Sequence, residues 1–212
     1  MISQKEYCNG DALLLISRIE LDLRYEIVTM NDYKFTLVVL SDAEFEDVTE
    51  PLYESGCDDA TICSRGGVLH LIFTRESTDF ETAVLSAIAD IETAGPMLRV
   101  KGLEPSDLVT LDELASRLGY SEEYTRKLLA GGIHSLDNPP LPYTNVDYGD
   151  TIWSFKDVVS WLYNKQVLED SDLLERAMKT FEIEYFLKSR DINSFEVVDR
   201  LSVKLKNMID QN

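Results

Sequence analysis

Several things are scarce in this chain, and each scarcity excludes something. It has three cysteines in 212 residues, Cys8, Cys57 and Cys63. An odd, widely spaced set does not make a disulfide framework. There are two histidines, His70 and His134, and with Cys57 and Cys63 they fit no common zinc spacing. No apolar run is long enough to span a bilayer, and the N-terminus lacks a basic and then apolar signal pattern. The expectation is a cytoplasmic protein with no membrane partner. Positive charge is also short: 20 basic against 39 acidic residues, net −19. A phosphate-binding protein normally shows a basic face, because neutralising phosphates supplies much of its affinity. No phosphate-binding glycine loop, dinucleotide fingerprint, nucleophile elbow or metalloprotease pair occurs. Neither an enzymatic reaction nor a cofactor is expected.

What is present is hydrophobic periodicity, and it divides the chain. In residues 1–29, Ile19, Leu21, Leu23, Tyr25 and Ile27 alternate with charged residues, the pattern of a half-buried strand at the edge of a sheet or in a partner's. Residues 30–103 read strand, helix, strand, strand, helix, strand. Tyr33, Phe35, Leu37 and Val39 alternate. Phe45, Val48 and Leu52 mark a helix stopped by Gly56. A short strand at 58–64 turns at Gly66-Gly67 into another with Leu69, Leu71 and Phe73 on one face. Phe80, Val84, Ala87, Ile88 and Ile91 line a second helix, and 97–103 is the last strand. That order predicts an α+β fold with a ferredoxin-like βαββαβ sandwich. Glu104-Pro105-Ser106-Asp107 reads as a linker into a unit at 107–165.

The most organised stretch runs from 110 to 164. Leu111, Leu114, Ala115 and Leu118 form one apolar stripe, with Thr110 and Glu113 as a capping box. Gly119 ends that helix, Ser121 caps the next, and Glu122 and Glu123 suit its positive end. Pro139, Pro140 and Pro142 stiffen the approach to a hairpin turning at 147–150, and Ser154 caps a third helix whose Phe155, Val158, Val159 and Leu162 face inward. On these residues the stretch LASRLGYSEEYTRKL, followed by the hairpin and the WSFKDVVSWL helix, resembles MerR-like and excisionase-like winged helix-turn-helix domains. The part before it resembles the N-terminal portion of uncharacterised bacterial DNA-binding proteins that carry such a domain.

The resemblance implies a DNA-binding transcriptional regulator whose second helix reads double-stranded DNA. Ser121, Tyr124, Arg126 and Lys127 on that helix, and Tyr143, Thr144 and Asn145 in the wing, are then the DNA-binding candidates. Tyr148, Lys156 and His134 are weaker ones. The plain alternative is a solvated helix face on which Glu122 and Glu123 pair with the cations at i, i+4, beside an ordinary polar hairpin. Five basic and ten acidic residues leave 104–165 net −5, so a rival reading is a protein-binding module. In that reading an antitoxin or an acidic DNA mimic grips a basic protein partner. Trp153 and Trp161 read as core. The carboxylates at Asp42, Glu44, Glu46, Asp47, Glu50, Asp58 and Asp59 read as a solvated acidic face. The helical segment 166–212 carries two stripes, Leu174, Met178, Phe181, Tyr185 and Val198, Leu201, Leu205, Met208. They are expected to bury against each other, the body or a second chain, making a homodimer.

Overall fold

The computed structural model describes residues 29–130, 136–143, 151–190 and 203–204. The strand expected at 19–27, Cys8 and the stripe of Val198, Leu201, Leu205 and Met208 lie outside the described residues. The chain is mixed α and β, with six helices among the described residues. None of them is long and apolar enough to cross a membrane.

Alternating apolar residues build the first layer. Strands β1 (Asn31–Ser41), β2 (Ala60–Arg65), β3 (Val68–Ser77) and β4 (Leu98–Glu104) form a sheet in the order β2-β3-β1-β4. Every neighbouring pair is antiparallel. Phe35, Leu37 and Val39 stand on one face with Leu69, Leu71, Phe73, Leu98 and Val100, all buried. Helices α1 (Phe45–Glu54) and α2 (Phe80–Ala94) supply Val48, Leu52, Val84, Ala87, Ile88 and Ile91 to the same core. Each fully buried Leu, Ile or Phe there contributes about 1.5–3 kcal/mol relative to exposure. Gly66 and Gly67 have φ of 59° and 81°, the left-handed pair that a tight β2–β3 hairpin requires. On the other face of the sheet Leu40 and Ile72 are exposed, while Val38 and His70 are half-buried.

A second cluster gathers around three short helices. Leu108–Val109 (β5) pairs antiparallel with Trp153–Ser154 (β6). Helices α3 (Leu111–Leu118) and α4 (Glu122–Leu129) follow β5, and α5 (Phe155–Asn164) follows β6. Leu114, Leu128, Phe155, Val158, Val159 and Leu162 are buried together. Trp153 and Trp161 are half-buried against them, and the Trp161 indole donates to the Asp137 carbonyl at 3.1 Å.

Two features become visible only in the tertiary structure. The segment 104–107, read as a linker, has Glu104 and Pro105 exposed but is anchored at its end. Asp107 is 3% exposed. Its N–H donates to Glu184 Oε1 at 3.1 Å, its carbonyl accepts from Phe155 N at 2.7 Å, and its Oδ1 accepts from Lys156 N at 2.8 Å. Arg117 Nη1 donates to the Ser106 carbonyl at 2.6 Å. Proline, serine and aspartate suggest a loop by composition. The groups that immobilise this one arrive from positions 117, 155, 156 and 184, which local sequence does not reveal.

The second feature is the phase of helix α6 (Ser171–Ser189). Its buried residues are Ala177, Thr180, Ile183, Glu184 and Leu187. Of the stripe read from the sequence, Leu174 and Phe181 are half-buried, and Met178 and Tyr185 are exposed in the single chain. The helix turns its small and mixed face inward because it must serve two surfaces. Ala177 joins the second cluster, while Ile183 and Leu187 join the sheet core.

Candidate nucleic-acid interface

Helix α4 is set by the turn that precedes it and by its own cap. Thr110 Oγ1 accepts from Glu113 N at 3.3 Å and starts α3, and Gly119 ends it at φ 69°. A left-handed residue there turns the chain within Gly119 and Tyr120, so that Ser121 can cap α4 by accepting from Tyr124 N at 3.2 Å. Thr125 and Leu128 then point inward at 1% and 5% exposure. Tyr124, Arg126 and Lys127 are left on the outer side. Tyr124 stands edge-on to Tyr120, ring centroids 5.2 Å apart.

The electrostatics of that face are nearly self-cancelling. Arg126 pairs with Glu122, and Lys127 Nζ lies 2.7 Å from Glu123 Oε1; both pairs are i, i+4. The Lys127 hydrogen bond holds the Glu123 carboxyl below its ordinary pKa. Elsewhere in this unit Arg117 pairs with Glu113, and Lys156 lies 2.8 Å from Asp157 and over the Phe181 ring. The cations of α4 are thus paired with carboxylates of their own helix. Beside it, a cleft of about 630 Å³ lies between α4 and β6, lined by Leu111, Asp112, Glu122, Arg126, Leu129 and Trp153 among others.

Of the seven candidates, Ser121, Tyr124, Arg126 and Lys127 share α4, with the Ser121 hydroxyl oxygen engaged by the cap. Tyr143 is exposed, and its N–H donates to the Ile152 carbonyl at 2.7 Å, next to β6. Thr144 and Asn145 lie outside the described residues, as do Tyr148 and His134. Nothing in the described residues joins Tyr143 to α4.

The cysteines and histidine are not gathered. Cys57 is buried after α1, where loss of solvent pushes its thiol up to about 11. Cys63 lies opposite His70 across β2 and β3, its thiol donating to the His70 carbonyl at 3.6 Å. Among the described residues, no group of three or more His, Cys, Asp or Glu side chains could hold a metal ion. Of the acidic run, Asp42, Glu44, Glu46, Asp47, Glu50 and Asp58 are exposed as expected.

Asp59 differs from that run. It binds Arg75 through both oxygens, at 2.8 Å and 2.9 Å. Arg75 also donates to Asp90 Oδ2 at 2.6 Å, Ser86 Oγ at 3.1 Å and the Gly56 carbonyl at 2.8 Å. The signal for this cluster was available as parity: Arg75 follows Leu69, Leu71 and Phe73 at period two, so it faces the core. Comparison of the chain with protein-family models, with curated proteins and with solved structures returns no match.

Proposed function

We propose that this chain is a DNA-binding transcriptional regulator, in which a ferredoxin-like βαββαβ sandwich carries a winged helix-turn-helix. Helix α4 enters the major groove, and the hairpin that begins at Tyr143 touches the flanking backbone. One observation carries the reading: Tyr124, Arg126 and Lys127 are presented on the solvent side of a short helix whose cap, turn and buried face hold it against α3 and α5.

The Glu122–Arg126 pair does not forbid this. An exposed i, i+4 pair on a helix is worth about 0.3–0.5 kcal/mol. A guanidinium contact to phosphate or guanine is worth about 1–3 kcal/mol, so exchanging one for the other is favourable. Long-range attraction is absent, because the whole chain repels DNA. Binding therefore depends on contact-distance complementarity and on two copies acting together.

The test is a titration of the full chain with duplex DNA from its own upstream region, at low and at moderate salt. Arg126→Ala is expected to weaken binding about tenfold or more without changing the melting temperature, because the side chain is exposed. Leu128→Ala is expected to lose stability first. If the intact chain retains no duplex at either salt, the reading fails.

A second reading has its own observation. The pairing of Arg126 and Lys127 with carboxylates of their own helix, on a chain of net −19, favours a face that docks a basic protein. Co-purification of such a partner without duplex retention would select it.

A further inference from the structure

We propose that Glu123 is a specificity-determining residue of α4, accepting a hydrogen bond from the exocyclic amine of cytosine while Lys127 contacts the guanine of a G·C pair. This rests on the DNA-binding reading. The family resemblance singles out the cations, but the helix geometry singles out a carboxylate. An α-helix turns about 100° per residue, so the direction opposite buried Thr125 and Leu128 belongs to Glu123 and Ala130. Lys127 and Arg126 lie to either side. Side-chain exposure follows that order: Glu123 74%, Lys127 69%, Arg126 60% and Glu122 49%. Ala130 offers no polar side-chain atom, and Glu122 turns toward the cleft beside β6. The residue aimed most directly outward is therefore Glu123.

A carboxylate at that position has few uses on a duplex. Phosphates repel it, so it is not a backbone contact. The floor of the major groove offers two exocyclic amines, N4 of cytosine and N6 of adenine. Adenine sets the N7 acceptor beside its amine, opposing the second carboxylate oxygen. Cytosine has no such neighbour. Lys127 Nζ, 2.7 Å from Glu123 Oε1, places a donor beside the acceptor. That side-by-side arrangement matches the amine of cytosine and the O6 and N7 acceptors of its paired guanine. The ammonium also keeps Glu123 ionised, hence an acceptor only.

The test is selection of bound sequences by the full chain from a randomised duplex library. The wild-type chain should yield a site with one position at which cytosine is preferred about tenfold or more. Glu123→Gln should move that preference to adenine, because an amide both donates and accepts. Glu123→Ala should flatten it. Both should raise affinity for random duplex, since each removes a negative charge, and leave the melting temperature unchanged. If the wild-type chain selects a site and both variants select the same one, this inference is overturned and the DNA reading stands. If the wild-type chain retains no duplex at all, both fall together.

Discussion

At the scale of single residues, Arg75 has the most to lose. It stands at a core position of β3 and is 8% exposed, yet carries a charge. Burial of a guanidinium is tolerable only when its donors are met. Here Asp59, Asp90, Ser86 and the Gly56 carbonyl meet them, and the Asp59 contact is the first cause holding the group charged, raising its pKa above the usual arginine value. Arg75→Leu removes the cation and leaves Asp59 and Asp90 near each other without it. The expected loss is about 3 kcal/mol, the lower end for breaking a buried pair, because the two carboxylates are 27% and 31% exposed. Adding Asp59→Asn and Asp90→Asn to that variant should recover part of it. Urea denaturation measures both. A loss under about 1 kcal/mol would place the cluster with ordinary surface ion pairs.

At the scale of elements, turns decide more than helix propensity does. Helices α3 and α4 are eight residues each, too short to persist alone, so the angle between them is set by Gly119 and by what they bury. A Cβ added at Gly119 would meet no atom within 4 Å, so the cost of a side chain is purely conformational. Gly119→Ala is expected to lose about 1–2 kcal/mol. Gly119→Asn should lose less, because asparagine tolerates the left-handed region. Thermal melts of the two variants check the order, and an alanine variant as stable as the parent would show that the turn is not left-handed in solution. The phase of α6 shows the limit of reading one element alone. A three-four stripe of large apolar residues was present at 174, 178, 181 and 185, but the inward face is set by two neighbouring surfaces that the helix must fit at once.

At the scale of the whole molecule, α6 ties the two cores together. It gives Ala177 to one and Ile183 and Leu187 to the other. Glu184, 5% exposed, binds the Asp107 joint, and Arg190 reaches Glu92 of α2 at 2.7 Å. The described residues from 31 onward belong to one compact unit, and one cooperative unfolding transition is expected. The chain's two tryptophans, Trp153 and Trp161, both sit in the second cluster, so their fluorescence reports that cluster alone. Ile183→Ala, a change in the sheet core, should cost about 2–5 kcal/mol and lower the fluorescence midpoint as far as the circular-dichroism midpoint. If the fluorescence midpoint stays put, the two cores unfold independently.

Sequence alone determined the elements whose periodicity is strict and whose ends carry their own stop signals. The four strands, α1, α2, the capped pair α3 and α4, the Gly66-Gly67 hairpin and the inward face of α5 were all legible. In each, the periodicity and the stop signals that mark the element lie in its own residues or in the turn beside it. Even the pairing of Arg126 with Glu122 and of Lys127 with Glu123 was readable, since i and i+4 are neighbours on any helix. Tertiary structure decided the rest. The burial of Asp107, the satisfaction of Arg75 by Asp59 and Asp90 and the phase of α6 depend on groups many residues apart. Buried polar groups take whatever partner the fold brings within hydrogen-bond distance, and a helix that packs on two surfaces answers to both. Neither constraint is written at the positions it governs.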